Sequence, residues 1–244
     1  MPRSLIPREH GAYAQLGAPL VAALVAFGAS LAGGLLALGV CVAFVANESL
    51  LVVLGHRGKR VKTEEGARAK RWLAVLVPVG VLSGTAGLAL APQAIGIATL
   101  VAIPAFVLVW FAWQRRERTL AGELVAAIAL SGASAPVAVA SGSSLSAAML
   151  GWLAWSVGYG LTVVVVHRVI LRKRRPPNAI DAIAFVTSIA LTCGAVALGL
   201  VAALPLAACS LGLWIVAPSP SRLRAVGFVL VGASLISTVL FVQI

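Results

Sequence analysis

Residues Ala32 to Arg60 read AGGLLALGVCVAFVANESLLVVLGHRGKR. The stretch from Ala32 to Leu54 carries one charged side chain, Glu48, and Arg57, Lys59 and Arg60 follow it at once. About 20 apolar residues suffice for a helix to cross a bilayer. A helix satisfies its own backbone polar groups, so it can sit in hydrocarbon without a partner strand. An apolar run that ends in arginine and lysine therefore reads as a membrane helix with an orienting basic exit.

The same pattern extends over the chain. Of 244 residues 61% are hydrophobic and 11% charged, and the mean hydropathy is +1.04. Too few polar residues exist to coat a soluble core of this size, so the composition indicates an integral membrane protein. A formal charge of +12 would in a soluble chain suggest nucleic acid. Here the basic residues cluster between apolar segments, where they set orientation, and no nucleic-acid partner is expected. Cys41, Cys193 and Cys209 stand within apolar runs without CxxC spacing. Core packing is the expected role of each, with no metal or disulfide framework.

Nine apolar segments approach spanning length: Ala12–Gly28, Ala32–Leu54, Trp72–Leu90, Ala94–Trp113, Leu120–Ala140, Ala147–Val166, Ala182–Leu200, Val201–Ala217 and Val226–Val242. All 19 lysines and arginines fall in the N-terminal tail or after segments two, four, six and eight. The alternate connections carry none. The positive-inside rule then predicts an all-α polytopic bundle of about nine helices, its N-terminus cytoplasmic and its C-terminus outside. Merging segments seven and eight would put Arg222 and Arg224 outside, against the pattern. Residues 1–244 are expected to form one transmembrane domain in the inner (cytoplasmic) membrane. The histidine-arginine exits at His56-Arg57 and His167-Arg168, four helices apart, suggest a parallel four-helix pseudo-repeat over about 32–140 and 147–242. Trp72, Trp110 and Trp113 fall near predicted cytoplasmic ends, as interfacial anchors do.

Every histidine and every acid is predicted at or near that cytoplasmic face. Glu64 and Glu65, among lysines and arginines, and Glu117 in RRER read as solvated loop residues. Glu123 fits the first turn of its own helix, and Asp181 fits an N-terminal cap after Pro176 and Pro177. Glu48 is different. It lies about six residues, roughly 9 Å, inside segment two, and a carboxylate at membrane depth requires a partner. Arg8, Glu9 and His10 enter the membrane from the same side as Asn47, Glu48, His56, Arg57, His167, Arg168 and Asp181. Converging, they would make a polar pocket whose arginines suit a carboxylate or phosphate. The rival reading is a salt-bridged gate or plain orienting charge.

The opening PREHGAY, Pro7 to Tyr13, followed at once by a polytopic domain, resembles the YwiC-like family of bacterial membrane proteins. The resemblance implies that Pro7, Arg8, Glu9, His10 and Gly11 form a functional signature. A looser resemblance, in helix number and in polar exits after helices two and six, is to UbiA-type intramembrane prenyltransferases. Those enzymes hold magnesium and a prenyl diphosphate on aspartate-rich motifs, whereas this chain offers NESLLVVLGHR and HRVILRKRRPPNAID, with few carboxylates for such an ion.

The leading expectation is thus a UbiA-like bundle binding an anionic amphiphile, a phosphorylated isoprenoid or lipid, in a cytoplasm-facing pocket. As a prenyltransferase-like enzyme it would use Arg8, Arg57 and Arg168 for the anion and His10 or Glu48 as general base. The alternatives are a proton-coupled transporter or exporter of a small anion, and a non-catalytic assembly subunit whose basic loops dock a partner or lipid headgroups. The outer halves of the helices are nearly bare of charge, which favours a one-sided site.

Overall fold

The computed structural model describes Leu5 and residues 10–170 and 178–243, with His10, Val169 and Ile170 described by their backbone alone. Ten α-helices are present among them: α1 His10–Ala26, α2 Leu31–Val53, α3 Lys59–Leu90, α4 Ile95–Trp113, α5 Leu120–Gly132, α6 Ser134–Ala140, α7 Leu145–Val165, α8 Ala179–Ala197, α9 Leu204–Val216 and α10 Leu223–Val242. There is no strand among the described residues. Helices α5 and α6 are two parts of one apolar span, Leu120–Ala140. The rods thus match the nine apolar segments in number and order. Seven spans are long and apolar enough to cross a membrane, and the apolar stretches at Gly11–Ala26 and Val201–Val216 are shorter. The chain is an integral, multi-pass membrane protein.

Two features depart from the expected segments. The third helix begins at Lys59, not Trp72, so the supposed loop Gly55–Arg71 is mostly three helical turns. Charged residues do not prevent a helix when their spacing is right. Arg60 and Glu64 pair at i, i+4 (2.7 Å) and Glu65 and Arg68 at i, i+3 (3.5 Å), while Glu65, Gly66 and Ala69 bury one face. Glu65 is therefore a buried helical residue rather than a solvated loop acid. The second departure is the break at Ala133. Pro136 has no N–H to give the Gly132 carbonyl, which interrupts the ladder one turn earlier. The Ser134 hydroxyl donates to the Ser131 carbonyl (2.7 Å) across the break.

Lipid is as apolar as leucine, so helices in a bilayer associate through close packing of small residues rather than by escaping water. The α2–α3 hairpin shows this. A methyl on Gly39 would come within 3.1 Å of the Gly80 carbonyl oxygen and the Gly84 nitrogen, so the two backbones nearly touch. Apart from the turn that follows it, α3 packs almost wholly on α2. Behind this hairpin, every residue of α6 is buried against α1, α2, α4 and α7. Trp155 stacks on Tyr159 at 5.8 Å. The Tyr159 hydroxyl lies 2.7 Å from the Ala14 carbonyl oxygen and 3.2 Å from the Ser234 hydroxyl, tying α7 to α1 and α10. Buried serines 188, 210 and 234 return their hydroxyls to carbonyls one turn back, so the apolar interior tolerates them.

The cysteine expectation is corrected. Cys41 and Cys193 are exposed and Cys209 is half-buried; in a thin bundle most helices have a lipid face, and a small apolar thiol is at home there. Trp72, Trp110 and Trp113 are exposed, as anchors would be.

Candidate functional site at the basic end of the bundle

Helix α2 positions the first group. Glu48 is 6% exposed and accepts two bonds from one guanidinium, Arg57 Nε to Oε1 at 2.9 Å and Arg57 Nη2 to Oε2 at 2.5 Å. This is the planar two-point geometry that arginine alone offers a carboxylate. The partner is nine residues downstream, brought back by the turn Leu54–Gly58. Gly55 and Gly58 have φ of +80° and +100°, values that glycine accepts without a side-chain penalty. Sequence reasoning placed Arg57 among anion-binding groups, whereas the structure makes it the partner that Glu48 requires. The pair of glycines bracketing His56-Arg57 was the signal for the fold-back.

The antiparallel register also revises the depth of Glu48. Gly87 abuts Ala32 and Leu36, Gly39 abuts Gly80 and Gly84, and Ala69 shares a cluster with Val52. Glu48 thus stands level with about Trp72, where the polar turns of α3 give way to its apolar stretch. Its carboxylate sits at the edge of the apolar region, with its counter-charge in place.

Two residues on either side of the PREHG motif touch the same helix. Leu5 is buried against Val52 of α2 and Ala69 of α3. Tyr13 meets Phe44 of α2 edge-on at 5.1 Å and lies within electrostatic reach of Glu48. Arg8 and Glu9 lie outside the described residues, as does the side chain of His10. His56, which precedes Arg57 in the turn, has a buried Nδ1 with no hydrogen-bond partner among the described residues. Asn47 is exposed. One residue along a helix is a rotation of about 100°, which turns Asn47 away from the face that holds Glu48.

The second group joins α5, α7 and α8. Helix α7 ends in a π-helical turn, Val166–Ile170, that carries His167 and Arg168. His167 Nε2 is 3.4 Å from Glu123 Oε2, near without forming a hydrogen bond. Arg168 Nη1 donates to Asp181 Oδ1 at 3.3 Å. Asp181 also accepts from the backbone N–H of Asn178, whose side chain accepts from that of Asp181, a reciprocal cap at the start of α8. The expected cap is thus present, with Asn178 as the cap residue and Asp181 as its return partner.

Among the described residues, no three of His, Cys, Asp and Glu lie together as a metal-binding group. Glu48 is clamped by Arg57, Asp181 is held by the α8 cap and Arg168, and Glu123 faces His167. This donor set does not fit the carboxylate-held magnesium of a UbiA-type site.

A family model described as YwiC-like protein matches residues 6–139, more than half of the chain. The chain belongs to the YwiC-like family. In this YwiC-like protein the match runs from the PREHG segment to the end of α6, so Glu48, Arg57 and Glu123 fall inside it and His167, Arg168 and Asp181 outside. No curated protein and no solved structure matches the chain.

Proposed function

We propose that this protein of the inner (cytoplasmic) membrane binds an anionic amphiphile, a phosphorylated isoprenoid or lipid, at its basic end, which faces the cytoplasm. The observation that carries the reading is the buried, arginine-clamped Glu48, with His56 in the adjoining turn keeping a buried Nδ1 that has no hydrogen-bond partner among the described residues. Buried polar atoms are rarely left unsatisfied unless a ligand or water completes them. Leu5 and Tyr13 hold both flanks of PREHG against α2, which favours Arg8, Glu9 and His10 converging on the same place. Lys59, Arg60 and Lys62, exposed on the first turns of α3, supply positive potential at its rim.

Within this reading Glu48 is an organiser rather than a base, because both its oxygens are engaged by Arg57. Proton handling then falls to His10 and His56, and anion contact to Arg8 and the edge of Arg57. His167, Arg168 and Asp181, paired across α5, α7 and α8, would form a second wall of the site, and Asn47 would serve the lipid side of α2. A one-sided site favours binding or group transfer at the membrane surface over transport, since charge alternation along the sequence predicts every acid and histidine toward this end.

The test is co-purification. The full chain, extracted in mild detergent and examined by native mass spectrometry and lipid extraction, should carry a phosphorylated lipid or isoprenoid. Arg8→Gln and His56→Ala should each reduce its occupancy, and retention unchanged in both would sink the reading.

A further inference from the structure

A second site involves neither helix of the α2–α3 hairpin. Between α4, α5 and α7 runs an open groove of about 320 Å³ lined by Leu100, Ile103, Pro104, Val107, Val125, Ile128 and Trp152. Its floor is fixed. The Trp152 indole N–H donates to the Ile128 carbonyl at 2.9 Å, and a methyl at Gly132 would meet that ring at 2.7 Å. The groove climbs α4 from Leu100 to Val107, and eight residues later, about 12 Å along the axis, the chain reaches the turn that bears Arg115, Arg116 and Arg118.

That turn is built around an unusual residue. Arg115 has φ +59°, the left-handed position that ends a helix and normally falls to glycine. Its N–H bonds to the Ala112 carbonyl and that of Arg116 to the Phe111 carbonyl. The Arg116 carbonyl in turn accepts from the Thr119 hydroxyl at 2.8 Å. Gly122 admits this backbone, since a methyl there would lie 2.4 Å from the Arg116 carbonyl oxygen. Arg115 and Arg116 are thus exposed on a well-braced turn, with Trp110 and Trp113 exposed one turn below.

We propose that the α4–α5–α7 groove takes the acyl chain of an anionic glycerophospholipid whose headgroup phosphate rests on Arg115 and Arg116. The groove wall is apolar and the turn that follows α4 carries three arginines against one acid, Glu117, a net positive charge that complements such a lipid and not a neutral one. Two adjacent guanidiniums on a turn with a braced backbone fit a phosphate better than single lysines do.

The full-length protein in micelles would be titrated with dioleoylphosphatidylglycerol or dioleoylphosphatidylcholine, and bound lipid counted by native mass spectrometry. The wild type should prefer the anionic lipid. The double variant R115Q/R116Q should lower the occupancy of one bound phosphatidylglycerol by about tenfold. Val107→Trp, an exposed position whose substitution fills the groove without disturbing the core, should lower retention with both arginines present. Unchanged affinity in either variant overturns the proposal. So would a wild-type mass of two chains that Val107→Trp converts to one, because a second copy would then occupy the groove. Neither variant touches Glu48, Arg57 or His56, so failure here leaves the proposed function standing.

Discussion

Removing Arg57 should expose what the Glu48 clamp is worth. The Glu48 side chain is 8% exposed and that of Arg57 17%, so the pair is neither a surface bridge, worth about 0–1 kcal/mol, nor fully interior. Breaking a buried pair from one side costs about 3–5 kcal/mol, chiefly because the survivor keeps its charge without compensation. Arg57 has some solvent contact and Glu48 stands at the edge of the apolar region, so about 2–3 kcal/mol is expected for Arg57→Ala. Glu48→Gln leaves an amide oxygen that still accepts from Arg57 and should cost about 1 kcal/mol. The double variant, with neither charge, should be more stable than Arg57→Ala alone. Reversible unfolding in mixed micelles across the four proteins measures this recovery. A coupling energy of at least about 1 kcal/mol is expected, and a value under about 0.5 kcal/mol would mean that the two groups do not interact.

Other consequences can be checked independently. Gly39→Val should destabilise by about 1–3 kcal/mol through overpacking against the α3 backbone, and a cysteine pair at Val52 and Ala69 should crosslink in the wild-type background but not in Gly39→Val. Asn178→Ala should cost about 1 kcal/mol and raise hydrogen exchange in the first turn of α8, since the reciprocal cap is lost. Reporter fusions after Gly58, Arg116, Arg174 and Ser221 should read cytoplasmic and those after Gln93, Ser143 and Ile244 external; an external signal at Ser221 would remove the nine-rod arrangement. Single cysteines at Lys62 and Lys70 should label with a water-soluble maleimide, whereas Cys41 should react only with a lipophilic one.

Hydropathy and charge alternation made the nine rods legible because the bilayer imposes length and sign on every crossing. The same signals were blind where charge and helix coincide. Lys59 to Arg71 looked like a loop, yet Val61, Glu65 and Ala69 repeat at four-residue spacing and lie toward α2. Pro136 marked the break within the fifth span, but a hydropathy profile does not register a missing N–H. At the site, the need of Glu48 for a partner was readable from its depth. The partner's identity was not, because it depends on two glycine torsions in the turn rather than on proximity along a helix. Asn47 shows the converse: adjacent in sequence to Glu48, it is rotated out of the site by helical geometry.

The close α2–α3 hairpin also bears on biogenesis. Glu48 and its counter-charge are nine residues apart and belong to the same helical hairpin, one in α2 and the other in its turn, so the clamp can close while the rest of the chain is still being synthesised. An acidic residue that enters a bilayer alone meets a penalty of about 2.5–3.5 kcal/mol. One that enters already bonded to an arginine from the adjoining turn presents the insertion machinery with a nearly neutral segment. The glycine contact that draws the two helices together would therefore act first as an aid to insertion, before any ligand reaches the mature site.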